Sequence, residues 1–193
     1  MVDERRLIRR SRQGDQRAFE ELVGLKRAMA VRIARNIVGN EDDARDIAQQ
    51  AFIKLWSAIH QFDEELNFDP WFFRIVVNLS IDFHRKQQHL PRPLPEPEEV
   101  VAGGLPSEVL PGADVEVMRG ELRGIFNRLA AELAPAQRAV FILKEIEELP
   151  TDDVARILEI RPSTVRNHLH QARHVLREGL RRRYPEYFRK VKK

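Results

Sequence analysis

Few side chains here are placed for covalent chemistry; the groups that stand out suit recognition. His170 and His174 lie four apart, but no glutamate of the HExxH kind accompanies them. A solvated or phosphate-contacting pair explains them better than a metal site. The acid pairs Asp42-Asp43 and Asp152-Asp153 open helical patterns, where they complement the positive dipole end. There is no glycine-rich phosphate loop, and no catalytic residue, metal or cofactor is expected. Ser163, Arg166, Asn167, His170, Gln171 and Arg173, by contrast, fall on one outward helix face. Arginine can read guanine bidentately, asparagine or glutamine can read adenine, and the hydroxyls of Ser163 and Thr164 suit phosphate at a helix N-terminus. Such mixed readers fit a major-groove surface better than a merely solvated one.

A second constellation lies between Asp69 and Gln88. Trp71, Phe72 and Phe73 crowd the first turn of a predicted helix that closes on His84, Arg85 and Lys86. Aromatics beside cations can hold unstacked bases, and they also make small helical cores. Phe72, Ile75, Val76, Leu79 and Phe83 recur at helical spacing and fit a core. Arg74, Asn78, Asp82 and Arg85 form a separate polar stripe. Trp71 and Phe73 fit either role.

The elements that position these groups are all helical. Asp15 caps a predicted helix over Gln16 to Ile37, and Gly39-Asn40 ends it and starts the next. Ala44, Ile47, Ala48, Ala51, Phe52, Leu55, Trp56 and Ile59 then keep an unbroken i, i+3, i+4 pattern. Its outer face holds Asp46, Gln49, Gln50, Ile53 and Lys54, where an exposed isoleucine hints at a protein contact. An acidic loop from His60 to Asn67, flanked by Phe62 and Phe68, precedes the helix expected to start at Pro70 with Asp69 as its cap. Beyond the centre of the chain, helices are expected over Val117 to Leu133 and Ala136 to Glu147. Thr151 is the expected cap of a short helix lined by Val154, Ala155, Ile157 and Leu158. The turn Glu159-Ile160-Arg161 then leads to Pro162 and a longer helix burying Val165, Leu169, Ala172, Val175 and Leu176. Two helices joined by so tight a turn form a helix-turn-helix pattern.

The 193 residues are 42% hydrophobic and 33% charged, with a formal net charge of +3. That charge is uneven. Basic and acidic residues number 15 and 14 over 1–90, 1 and 6 over 91–118, and 17 and 10 over 119–193. Six of the 11 prolines fall within 89–118, which has no helical period. The expected architecture is therefore all-α: a helical domain over 5–90, a flexible Pro/Gly/acidic linker over 91–118, and a helix-turn-helix domain over 119–185. The basic last third, including Arg181, Arg182, Arg183, Arg189, Lys190, Lys192 and Lys193, suits a polyanion. The absence of cysteine makes a reducing, cytoplasmic setting the simplest. No apolar run approaches the roughly 18 residues of a membrane span, and the N-terminus lacks a signal core.

Taken in order, these residues resemble the extracytoplasmic-function (ECF) group of bacterial sigma factors, placed here as group IV of the primary sigma class. The likeness covers about four fifths of the chain. It is carried by Gly14-Asp15 with Ala18-Phe19, by DIAQQAFIKLW (Asp46 to Trp56), and by Phe68, Trp71, Arg74, Ile75, Asn78, Asp82 and Arg85. In the second half LAPAQRAVFIL (Leu133 to Leu143) and the helix-turn-helix carry it.

The resemblance implies a transcription initiation factor with no catalysis of its own, acting in a stress or envelope response. Asp46, Gln49, Gln50, Ile53 and Lys54 would meet the core polymerase, on its beta and beta-prime subunits. Phe62, Phe68, Trp71, Arg74, Asn78, Asp82, Arg85 and Lys86 would recognise and melt the −10 promoter element. Arg161, Ser163, Thr164, Arg166, Asn167, His170, Gln171 and Arg173 would engage the −35 element. Glu96 to Glu99 would thread the polymerase channel, and an anti-sigma factor, in some cases membrane-anchored, would hold the chain inactive. Three positions depart from the family pattern. Glu159 stands where glycine is usual, Arg161 where a capping serine is usual, and Gln171 where arginine is usual. The competing reading is a stand-alone helix-turn-helix transcriptional regulator.

Overall fold

Three turns of sequence set the frame of the first half. Asp15 accepts the Ala18 N–H at 3.1 Å and starts α2 (Gln16–Val38). Gly39 ends it in the left-handed region at φ 88, where a side chain would be strained. Asn40 then accepts from the N–H groups of Asp42 and Asp43 and starts α3 (Glu41–Ala58). A shorter helix, α1 (Glu4–Arg12), precedes them with Asp3 as its cap; the sequence pattern had not marked it out. The computed structural model describes residues 3–89, 122 and 124–185. The expectations for the linker 91–118, for the helix start at Val117 and for the cations from Arg189 onward lie outside the described residues.

α3 ends in a 3₁₀ turn (Ile59–Gln61), and α4 (Phe68–His89) follows the acidic loop. α4 begins two residues before the expected Pro70, so Asp69 is not its cap. The Asp69 carboxylate instead accepts from Lys26 Nζ at 2.5 Å, and Glu4 approaches the same ammonium at 2.8 Å. Burial alone would lower the Lys26 pKa, but the hydrogen bonds it donates to Asp69 and Glu4 outweigh it and raise it. This one ammonium ties α1 and α2 to the start of α4.

In the second half, residues 124–130 form α5, and α6 (Pro135–Phe141) runs on as a π-helical turn over Ile142–Ile146. α7 (Thr151–Leu158) starts one residue earlier than expected: Pro150 holds the extended capping position at ψ 149, and Thr151 is already helical. α8 (Pro162–Arg183) follows with proline in its first turn and no side-chain cap from Arg161. Glu159 adopts the left-handed conformation at φ 54 that its family's glycine would favour. The strain costs about 1 kcal/mol relative to glycine.

These are two helical domains, and they share one core. Ala139, Val140, Ile142, Leu143, Val154, Ala155, Ile157 and Val165 join the buried residues of α1–α4 in a single apolar cluster. α4 is the reason. It packs on α2 and α3 with one side and on α6 and α7 with the other. Its buried arc is accordingly wider than one stripe: Phe72, Phe73, Val76, Val77 and Ile81 are buried, and Ile75, Leu79 and Phe83 are half-buried.

Polar contacts stitch the same seam. Arg138 of α6 donates through Nε and Nη2 to the Asn36 carbonyl of α2 at 3.2 and 3.0 Å. Asn127 donates to the Gly39 carbonyl at 3.4 Å. Carbonyls freed at the end of α2 are thus met by the second domain. Arg32 of α2 reaches Glu147, whose side chain is enclosed, at 2.5 Å. Burial pushes the Arg138 guanidinium down to about 10.

Candidate nucleic-acid interface

The exposed edge of α4 carries Asn78, Asp82, Arg85 and Lys86, all open to solvent, with Trp71 and Arg74 half-buried at its beginning. Below them sits an aromatic stack. Phe62 lies 5.0 Å from Trp71 between ring centroids and meets Phe68 edge-on at 5.3 Å. Phe62 and Phe68 are only 3% and 6% exposed. They therefore serve as a floor that fixes the Trp71 indole, and no base can reach them while the loop is so placed. Phe73, ambiguous in the sequence, is core at 1% exposure. The loop between the two phenylalanines is held from α1: Glu64 accepts from Arg9 at 3.1 Å and pairs with Arg12. These contacts hold its carboxyl below the usual range, the Arg9 hydrogen bond contributing most.

α8 displays the second surface. Arg161, Ser163, Arg166, Asn167, His170, Gln171 and Arg173 are exposed, Thr164 is half-buried, and Val165 and Ala172 face the core. Two of these side chains are already engaged. Arg173 pairs with Glu145 at 2.6 Å, and Gln171 accepts from Gln137 at 2.8 Å. Neither partner was legible in the sequence, since each pairing crosses from one helix to another with no local pattern. Among the described residues no cluster of His and carboxylates has the arrangement of a metal site.

Between the two surfaces lies a groove of about 710 Å³, lined by Trp71 and Arg74 on one side and by Arg156, Glu159 and Ile160 on the other. Arg74 crosses it to meet Glu159 at 2.6 Å. A third surface, on α3, exposes Asp46, Gln49, Gln50, Ile53 and Lys54. Ile53 is 60% exposed beside a groove also lined by Phe19, Phe52 and Trp56.

The chain matches the family model of sigma-70 region 2 over residues 22–90 and that of sigma-70 region 4 over residues 123–175. It is 33% identical to the ECF RNA polymerase sigma factor SigW of Bacillus subtilis over 183 residues, which span 90% of this chain and 95% of SigW. The chain belongs to the ECF sigma factors. That sets aside the stand-alone regulator, and the placing in the primary class narrows to the ECF group. Two solved structures share the fold. CnrH, determined in complex with the cytosolic domain of CnrY, superposes with a TM-score of 0.68 at 25% identity, over 94% of this chain and 99% of that one. RpoE of Bartonella quintana, in complex with the anti-sigma factor NepR, superposes at 0.59 and 20% identity, over 84% and 96%. As an RNA polymerase sigma factor the protein acts in promoter-directed transcription initiation. Region 2 spans α3, α4 and most of α2, and region 4 holds the helix-turn-helix of α7 and α8.

Proposed function

We propose that three surfaces divide the work of this sigma factor. The face of α3 carrying Asp46, Gln49, Gln50, Ile53 and Lys54 docks on the beta and beta-prime subunits of core polymerase, with exposed Ile53 as the apolar centre. The edge of α4 captures the −10 element: Trp71 stacks on an unpaired base, while Arg74, Asn78, Asp82, Arg85 and Lys86 hold its edge and backbone. Phe62 and Phe68 act from beneath, as support for Trp71. α8 reads the −35 element through Arg166, Asn167, His170 and Gln171, with Arg161, Ser163, Thr164 and Arg173 toward phosphate.

The observation that carries this reading is that α8 leaves base-reading side chains exposed while α4, in the same chain, exposes a polar edge ending in an aromatic. The protein supplies no catalytic group; nucleotide addition belongs to the polymerase, and the work is cytoplasmic. The domain limits proposed are 5–90 and 119–185, with the linker 91–118 between them. RpoE of Bartonella quintana was solved in complex with the anti-sigma factor NepR; an anti-sigma factor, tied to a stress or envelope signal, is the expected inhibitor here. Run-off transcription with core polymerase on a promoter library tests the reading. Start sites that share −10 and −35 elements support it; core-independent duplex binding without opening overturns it.

A further inference from the structure

Gln171 is read above as a base-contacting residue, and the inference here rests on that reading. A glutamine amide has two faces, an oxygen that accepts and an NH₂ that donates, and free rotation would let it offer either. In this protein the choice is made by a relay of hydrogen bonds. The Ala134 N–H opens α6 and can only donate; it gives its proton to Gln137 Oε1 at 3.2 Å. The Gln137 amide must then turn its NH₂ outward, and Nε2 donates to Gln171 Oε1 at 2.8 Å. Gln171 is left with its oxygen turned toward Gln137, and its NH₂ lies on the other arm of the amide.

The geometry points to Gln137 as a specificity-determining positioning residue: by fixing the Gln171 amide it turns the NH₂ of Gln171, rather than its oxygen, toward the −35 element. A glutamine free to turn reads adenine bidentately, accepting from N6 and donating to N7. With its oxygen turned to Gln137, whose bond takes one of its two lone pairs, Gln171 leads with its donors. Guanine, with acceptors at N7 and O6, and thymine, with O4, match it, whereas the amino groups of adenine N6 and cytosine N4 set donor against donor. Groove burial strengthens the selection, because a polar group cut off from water must keep its partner. The departure from arginine at position 171 therefore preserves an outward donor and shifts the decision about bases to a residue on α6.

The prediction can be inverted by one atom. Gln137→Glu keeps an oxygen for the Ala134 N–H, as glutamate does at the third position of a helix, but offers Gln171 a second oxygen. Gln171 then donates inward and presents its own oxygen to the groove. Holoenzyme made with wild type, Gln137→Glu, Gln137→Ala, Gln171→Ala and Arg166→Ala transcribes a promoter library randomised over the −35 element, and transcript yield is read per sequence. At the position that Gln171→Ala flattens, wild type should favour guanine or thymine over adenine and cytosine by about fivefold. Gln137→Glu should reverse that order toward cytosine and adenine, and Gln137→Ala should restore adenine without reversing it. A wild-type order in Gln137→Glu at a position flattened by Gln171→Ala overturns the relay, with base reading by α8 intact. So does a library indifferent to Gln171→Ala but sensitive to Arg166→Ala. If neither substitution changes any −35 preference, the reading of α8 as the −35 surface fails as well.

Discussion

Arg74 of α4 and Glu159 of the helix-turn-helix turn form a 2.6 Å ion pair across the groove between the two domains. Arg74 lies on the edge proposed for the −10 element, and Glu159 in the turn that leads into the helix proposed for the −35 element. Elements centred near −10 and −35 lie about 25 base pairs apart, on the order of 85 Å at about 3.4 Å per pair. Surfaces in contact cannot occupy both at once, so this arrangement precedes or excludes full promoter engagement. The 28 residues of 91–118 set an upper bound of about 100 Å on the span between the domains. That is just enough.

Glu159→Gln should therefore favour separation. The pair is largely exposed, so its loss is worth under about 1 kcal/mol, or at most about fivefold in the open population. Glu159→Gly should separate the domains to the same extent, since the left-handed strain it also relieves lies within the turn and is common to both forms. Fluorescence transfer between labels on α3 and α8, in the protein without polymerase, measures the separation. An unchanged transfer efficiency in both variants would remove the pair from the account.

Trp71→Ala and Asn78→Ala test the capture of an unpaired base. Each should slow opening of fully paired promoter DNA by about tenfold, in line with the few kcal/mol of base–aromatic stacking. On templates mismatched across the −10 element the defect should shrink to a few-fold. Equal losses on both templates would speak against a melting role.

Arg138→Ala removes the donor from the Asn36 carbonyl and from the Asn127 side chain, at about 1–3 kcal/mol. Thermal unfolding should fall by roughly 2–4 °C for each kcal/mol lost. Arg138→Leu should recover part of this, because the guanidinium is itself costly to bury. A melting temperature equal to wild type in Arg138→Ala would mean the seam does not depend on this bond.

Acid should loosen the front of the molecule first. The Ala18 N–H, and then Arg10, hold the Asp15 carboxyl below its ordinary 3.8, and Arg9 leads in holding Glu64 below 4.5. Around those values the unfolded chain binds protons that the folded one refuses, so folded stability rises with pH there. The contribution is fully present above the ordinary values and is lost as pH falls through the lower, folded ones. Hydrogen exchange in α1 and the first turn of α2 should accelerate below about pH 4. Asp15→Asn should blunt that dependence in α2; a wild-type pH response in this variant would exclude Asp15.

Ile53→Glu should weaken co-purification with core polymerase by at least about tenfold, as for a charge placed at an apolar contact centre. Being 60% exposed, the residue should leave folding within about 0.5 kcal/mol of wild type. Undiminished recovery of polymerase would move the docking surface elsewhere.

What the sequence disclosed follows from what is local. Caps and periods are written within a few residues, so α2, α3 and α8 were readable, whereas the left-handed Glu159 was seen only in the structure. Thr151 was misplaced by one position because Pro150 can hold the capping geometry without a side-chain acceptor. α1 is short and basic, and its signal was only Asp3 ahead of Leu7, Ile8 and Ser11. Helical period tells which side of α4 is apolar but not how many neighbours press on it. Phe73, Val77 and Ile81 are buried because α4 is central. Gln137 was invisible as a partner of Gln171, since 34 residues separate them and both are polar.

The apolar cluster that runs unbroken from α2 through α4 to α7 gives separation of the domains the character of a partial melting. Exposing those side chains to water must raise the heat capacity of the opened form. The equilibrium between joined and parted domains then bends with temperature, and cooling weakens the attraction that holds them. Once its polar latches are cut, the molecule should part more readily in the cold. The side chains that fold the molecule thus also set how its opening depends on temperature.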